Sequence, residues 1–111
     1  MKLKPIKGTV KIKRNGTLIA KSDRAFFVLE VGKDIYDPVV YMPADHVFAE
    51  MARSDRQTHC PLKGDASYFA IAGADPTEIA WCYQEPFEFA SNLAELMAFY
   101  ADQVAIEFSP L

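Results

Sequence analysis

The stretch "TVKIKRNGTLIAKS", residues 9–22, constrains the fold more than any other part of this sequence. Its Asn-Gly dipeptide lies between two runs that alternate apolar and polar residues, which is the strongest short-range signal for a tight β-hairpin. We expect Val10 and Ile12 to face a core while Lys11 and Lys13 lie on the opposite face. The hairpin predicts an antiparallel sheet as the basis of the fold.

Short apolar runs continue to the end of the chain and favour strands. They are "AFFVLEV" (25–31), "VVYM" (39–42), "ASYFAIA" (66–72), "EIAWCY" (78–83) and "QVAIEF" (103–108). Two helical turns are expected over 44–51, and Pro86 would open one amphipathic helix with apolar residues at helical spacing: Phe89, Leu93, Leu96, Met97 and Tyr100. The sequence therefore predicts a mainly β domain, α+β in composition, with antiparallel strands in two packed sheets and this C-terminal helix covering an edge or an open face.

Length and composition predict a single domain over residues 1–111. The chain has 111 residues, of which 50% are hydrophobic and 13% aromatic, enough for one core but not for two. No run approaches the ~18 apolar residues of a membrane helix, and the basic N-terminus lacks the apolar segment of a secretory signal. We therefore expect a cytoplasmic protein without a membrane partner.

Charge is unevenly distributed along the chain. Most of the twelve lysines and arginines precede residue 25, whereas residues 64–111 contain none. Either the basic segment lies beside the acidic second half within one molecule, or two copies of the chain meet through these halves, so a homo-oligomer stays open. The net charge of −3 and the lack of a base-reading motif argue against nucleic acid as a partner.

The segment 54–68 is predicted to be a loop, and it holds the densest group of reactive side chains in "THCPLKGDASY". Gly64 permits a positive φ or a close approach of the backbone to a ligand. Lys63 supplies a mobile cation suited to a phosphate or carboxylate, or it forms a solvent-facing pair with Asp65. We interpret this bend as the candidate site.

Cys60 is the candidate nucleophile if the protein is an enzyme, and otherwise a small buried hydrophobic residue. His59 and Cys60 would point to opposite faces of an extended chain, which argues against a His–Cys dyad. Cys60 and Cys82 have no CxxC spacing, and a metal site would need them to converge with His46 and His59 from distant segments. The sequence predicts no metal site and no cofactor.

The run "WCY" places Trp81 and Tyr83 on one face of a strand and Cys82 on the other. Aromatic residues in a strand usually pack in a core, but a core face can also form the wall of a pocket, with the Tyr83 hydroxyl group as a polar anchor. Arg24 and Glu30 are expected on one face of the third strand, where a carboxylate would need a cationic partner. These residues are further candidates for the site.

Five segments resemble, in order, a bacterial and fungal family catalogued as domain of unknown function 427: "GTLIAKSDRAFFVLE", "VVYMPADHV", "THCPLKGDASYF", "AWCYQEP" and "FY" at 99–100. The likeness covers about residues 8–108. Its most specific part is the pattern Cys-Pro-x-Lys-Gly-x-Ala-x-Tyr, matched by Cys60, Pro61, Lys63, Gly64, Ala66 and Tyr68. The other matches are Ser22, Ala25, Glu30, Tyr41, Pro43, Asp45, Trp81, Tyr83 and Pro86, while Phe69 stands where the family more often has Trp.

The resemblance implies a small, β-rich, tent-like domain, and the family carries a nucleotidyltransferase-like label. The sequence itself has neither paired carboxylates at metal-binding spacing nor a phosphate-binding loop that would support this label. The resemblance therefore bears more on where the site lies than on its chemistry.

The sequence is compatible with three functions. The leading hypothesis is binding of an anionic small molecule in an aromatic-walled pocket, in which Lys63 pairs with the anion and Cys60 lines the site. Its ligand-binding residues would be Lys63, Gly64, Tyr68, Trp81, Tyr83, Glu30 and Arg24. The alternatives are an enzyme, either nucleotidyltransferase-like or dependent on Cys60, and a protein–protein interaction module without catalysis.

Overall fold

Antiparallel strands in two sheets make up the structure, a computed structural model that describes residues 2–29, 38–61 and 63–110. In chain order the strands are β1 (Lys2–Pro5), β2 (Thr9–Arg14), β3 (Thr17–Ser22), β4 (Phe26–Leu29), β5 (Val39–Pro43), β6 (Met51–Cys60), β7 (Gly64–Ile71), β8 (Ala80–Cys82), β9 (Leu96–Phe99) and β10 (Ala105–Ser109). Two short 3₁₀ segments, Ala44–His46 and Glu88–Leu93, lie between strands. The predicted mainly β, two-sheet architecture is confirmed.

Among the described residues, the larger sheet has seven strands in the order β1-β4-β5-β9-β8-β7-β6, and the smaller has three in the order β10-β2-β3. Consecutive strands form the hairpins β2–β3, β4–β5 and β6–β7. Strand β9, from late in the chain, lies between β5 and β8 and joins the two halves of the larger sheet.

The β2–β3 hairpin has the turn that its sequence predicts. Asn15 has φ 51° and Gly16 has φ 80°, the two consecutive positive values that a type I′ turn requires. Val10 and Ile12 are fully buried, whereas Lys11 and Lys13 on the opposite face stay half-buried. Alternation along the strand therefore sets which face of the small sheet packs against its neighbour.

The larger sheet buries apolar side chains on both of its faces. Its inner face packs against the small sheet, and the buried residues of this layer include Val10, Ile12, Ile19, Met42, Met97 and Phe99. Its outer face carries a second apolar cluster, to which the 3₁₀ segment Glu88–Leu93 contributes Ala90 and Leu93. This outer cluster contains most of the aromatic residues considered below.

The predicted C-terminal amphipathic helix is wrong. Glu88–Leu93 is a six-residue 3₁₀ segment, Leu96–Phe99 is strand β9, and no helix of seven or more residues occurs in the described ranges. All four residues of β9 are buried, so the strand is apolar on both faces. A continuous apolar run of this kind also fits the spacing of apolar residues in an amphipathic helix, which explains the wrong prediction.

The expected helix over 44–51 is also shorter than its sequence indicates. Only Ala44–His46 forms a 3₁₀ turn, and Met51 already begins β6. Nowhere in the described ranges is a helix long and apolar enough to cross a bilayer.

Candidate functional site

One end of the seven-stranded sheet brings together polar side chains from five neighbouring strands. Arg24 precedes β4, Asp45 follows β5, Glu95 precedes β9, Gln84 follows β8 and Lys63 precedes β7. Because neighbouring strands are antiparallel, these starts and ends all lie at the same end of the sheet. We call this region the sheet end.

The predicted loop over 54–68 is wrong, because most of it forms two paired strands. Cys60, the last residue of β6, pairs with Gly64, the first residue of β7. Strand β6 is one of the two edge strands of the larger sheet as described, and all of its residues are exposed or half-buried, which explains its loop-like polar composition. The candidate residues therefore lie on a rigid hairpin.

The side chains of His59 and Cys60 lie on opposite faces of β6, as predicted. His59 Nδ1 is 2.7 Å from Asp65 Oδ1 on the exposed face. Cys60 packs against the outer apolar cluster. The geometry therefore gives Cys60 no general base from its neighbour.

Lys63 is buried, not a mobile surface cation, with only 8% of its surface exposed. Burial lowers the pKa of its ammonium group, because removal from water disfavours the charged form. The Lys63 Nζ atom is 5.7 Å from the centroid of the Tyr83 ring, within the range of a cation–π contact.

Gly64 has φ +113°, a positive value that glycine permits. A Cβ atom on Gly64 would come within 3.2 Å of the Glu85 carbonyl oxygen and 3.4 Å of Pro86 Cα. The close approach at this glycine is thus made by the chain's own backbone.

Five aromatic side chains on the outer face of the larger sheet form what we call the aromatic face: Tyr41, Tyr68, Trp81, Tyr83 and Tyr100. Trp81 pairs in register with Tyr68 on one side and with Ala98 on the other, and Ala98 pairs with Tyr41. The Trp81 ring lies 4.5 Å from that of Tyr100 and 6.2 Å from that of Tyr41, centroid to centroid. The structure therefore brings together Tyr68, Trp81 and Tyr83, three of the predicted site residues.

The rings of the aromatic face are held by neighbouring side chains. The Trp81 ring meets the Tyr41 ring edge-on, at an interplanar angle of 84°. The Tyr68 hydroxyl group lies 2.6 Å from Thr58 Oγ1, and the Arg56 guanidinium group stacks 4.0 Å from the centroid of the Tyr68 ring. These contacts fix the orientation of the rings.

Burial raises the pKa of Tyr83 to about 12, and it also raises the pKa of Tyr41 and of Tyr100. The hydroxyl groups of these residues are therefore protonated at neutral pH and can donate hydrogen bonds.

A cavity of about 820 Å³ opens at the sheet end, and we call it the cup. Its lining includes the buried side chains of Cys82, Tyr83, Leu96 and Met97, together with Phe69. Exposed polar residues complete it: Arg24, Asp45, Gln84 and Glu95. Of the predicted ligand-binding residues, Arg24 and Tyr83 line the cup, whereas Lys63, Gly64, Tyr68 and Trp81 lie outside its lining.

Arg24 does not lie on the third strand of the prediction, because β4 begins only at Phe26. Ser22 and His46 hold it at the edge of the cup: Arg24 Nη2 is 3.1 Å from His46 Nε2, and His46 Nδ1 is 2.7 Å from Ser22 Oγ. Ser22 lies only two residues before Arg24, whereas His46 is 22 residues away in the sequence and meets Arg24 only in the folded chain. Glu30, the remaining predicted site residue, lies outside the described residues.

A family model described as a domain of unknown function, DUF427, matches residues 2–109 of the chain. This match confirms the resemblance noted in the sequence. No curated protein matches the chain.

Proposed function

The chain belongs to the DUF427 family, and we propose that it is a binding module for an anionic small molecule that carries a planar ring. The ring would stack on the aromatic face, and the anionic group would reach Lys63 Nζ. The observation that carries the proposal is the position of a buried ammonium group 5.7 Å from the Tyr83 ring, at the border of the aromatic face.

The setting of Lys63 supports recognition of a negative charge. Coulomb attraction is stronger at a partly dehydrated site than in bulk water, so an anion gains more from this ammonium group than from an exposed lysine. The lowered pKa of Lys63 shows that burial disfavours its positive form, and a bound anion would favour that form again.

The tyrosine hydroxyl groups support recognition of ligand oxygens. With its pKa raised to about 12, the Tyr83 phenol is neutral at physiological pH and donates a hydrogen bond instead of repelling an anion. Trp81 and Tyr100, whose rings are only half-buried, offer the surface on which a planar ring would stack.

The proposal is tested with AMP, glucose 6-phosphate and citrate, titrated into the protein by calorimetry and thermal-shift measurements. We expect AMP to bind, and Lys63→Met to weaken its binding by about tenfold or more, the scale of one charge-assisted contact. Lys21→Met is the matched control, because Lys21 is exposed on β3. Equal AMP affinity in the wild type and in Lys63→Met would refute the role of Lys63.

A second variant separates stacking from charge. Trp81→Leu should weaken the binding of AMP, which has a ring, much more than the binding of inorganic phosphate, which has none. The same loss for both probes would show that the ring makes no specific contact with the aromatic face.

A further inference from the structure

The cup combines an apolar floor with charges of both signs at its edge. Cys82 and Met97 are buried in its floor, while Arg24, Asp45 and Glu95 are exposed. Its volume of about 820 Å³ is within the range of small-molecule sites, which are mostly apolar with a few placed polar groups. The positions of those charges indicate which class of molecule it would take.

The positive charge is held in place by Ser22 and His46. Arginine can only donate hydrogen bonds, so His46 Nε2 accepts from Arg24 Nη2 at 3.1 Å and the ring carries its proton on Nδ1. This Nδ1–H donates to Ser22 Oγ at 2.7 Å, and Ser22 Oγ also accepts from the Arg24 backbone N–H at 3.0 Å. Ser22 is buried, so the arrangement is anchored in the core.

One nitrogen of the Arg24 guanidinium group is therefore committed to His46. The N–H groups on its other nitrogens bond to no acceptor within the described part of the chain. A guanidinium group fixed in this way is preorganised to receive a carboxylate, since its donors match the two carboxylate oxygens.

The negative charges come from the end of β5, which pairs with β4, and from the start of β9, which pairs with β5. The Ala44 N–H donates to the Glu95 carbonyl oxygen at 2.8 Å, which holds the end of β5 against the start of β9. Glu95 has φ 64°, an uncommon value for a residue other than glycine, so its position is set by this packing. Neither Asp45 nor Glu95 forms an ion pair with another residue of the described ranges.

We propose that the cup binds a small zwitterion with an apolar side chain, such as a free α-amino acid. Arg24 pairs with its carboxylate, Asp45 and Glu95 attract its ammonium group, and its side chain lies on the floor beside Met97. Tyr83 borders both the cup and the anion site, but the charges that carry this proposal are those of Arg24, Asp45 and Glu95, and Lys63 is not among the residues that line the cup.

Three probes of one shape test the need for both charges: L-phenylalanine, 3-phenylpropionate, which lacks the ammonium group, and phenethylamine, which lacks the carboxylate. We expect L-phenylalanine to bind at least about tenfold more tightly than either analogue in calorimetry, since each analogue loses one charge-assisted contact. Equal binding of either analogue, or no binding of L-phenylalanine, L-leucine and L-methionine at millimolar concentration, would overturn the proposal.

Substitutions test which residue contacts each charged group of the ligand. Arg24→Gln should abolish the preference for L-phenylalanine over phenethylamine, and the double variant Asp45→Asn, Glu95→Gln should abolish its preference over 3-phenylpropionate. Ser22→Ala acts only through the position of Arg24, so it should weaken the binding of L-phenylalanine without weakening that of phenethylamine. An Arg24→Gln protein that keeps the full preference over phenethylamine would overturn the proposal.

Lys63→Met separates this site from the anion site. It should leave L-phenylalanine binding unchanged even where it lowers AMP affinity. Loss of L-phenylalanine binding in a folded Lys63→Met protein, with binding retained in Arg24→Gln, would place the amino acid on the aromatic face and refute the cup as its site. Near-ultraviolet circular dichroism of each variant confirms that the aromatic packing is intact.

Discussion

The backbone N–H of Phe87 donates a hydrogen bond of 2.9 Å to the carbonyl oxygen of Lys63. This bond ties the β6–β7 turn to the segment that follows β8. Backbone contact between these segments places the Lys63 ammonium group beside the Tyr83 ring. The candidate site is therefore organised by the main chain as much as by its side chains.

Substitution of Gly64 tests this backbone contact. Gly64→Ala should lower the free energy of unfolding by about 2 kcal/mol, because a side chain is strained at φ +113° and its Cβ would approach the Glu85 carbonyl oxygen to 3.2 Å. Gly16→Ala is the control, since Gly16 also has a positive φ but nothing within 4 Å of the added Cβ. Urea unfolding measures the stability of both variants. An equal loss of unfolding free energy in Gly64→Ala and Gly16→Ala would show that the close backbone approach at Gly64 is unimportant.

Ser22→Ala should lower the free energy of unfolding by about 1 kcal/mol, because two partly buried donors lose their acceptor. The buried Ser22 hydroxyl oxygen accepts hydrogen bonds from the Arg24 backbone N–H and from His46 Nδ1, and alanine offers no acceptor to either. Ser91→Ala, at an exposed position, should change stability by less than about 0.5 kcal/mol. A Ser22→Ala protein as stable as Ser91→Ala would show that the hydrogen bonds around Arg24 are dispensable.

His59→Ala should leave the alkylation rate of Cys60 unchanged. The His59 side chain lies by Asp65 on the exposed face of β6, and Cys60 packs on the other face. Reaction with iodoacetamide, followed by peptide mapping so that Cys82 is counted separately, gives the rate. A slower reaction of Cys60 in the variant would revive a His–Cys pair.

The protein should lose stability between about pH 10 and pH 12 through Tyr83. Its pKa is raised from 10.0 to about 12 in the folded state, so folding favours the protonated phenol. This contribution is fully present below pH 10, where unfolded tyrosine is also protonated, and it is lost as the pH rises through the folded value. Urea unfolding at several pH values checks this, and Tyr83→Phe should flatten the decline; an equally steep decline in Tyr83→Phe would assign it to other groups.

The sequence predicted those features whose signals are local. The Asn15-Gly16 turn and the strand faces of Trp81 and His59 each depend on a few adjacent residues. Strand β9 was missed because it is buried on both faces, so its apolar run cannot be told from a helix by periodicity.

The sheet end could not be predicted for a different reason. Arg24, Asp45 and Glu95 come together only because β4, β5 and β9 are neighbours, and this order pairs strands far apart in the sequence. No periodicity within a single segment records such an order. The cup could therefore not be predicted from the sequence.

The position of β9 has a consequence for how the chain reaches its folded state. The hairpins β4–β5 and β6–β7 are local and can form early, but the sheet stays in two pieces until β9 inserts between β5 and β8. On the ribosome this joining waits for residues near 99 to emerge, because synthesis runs from the N-terminus. Until then the edges of β5 and β8 have open hydrogen-bonding groups, and the nascent chain depends on this one short strand to close them.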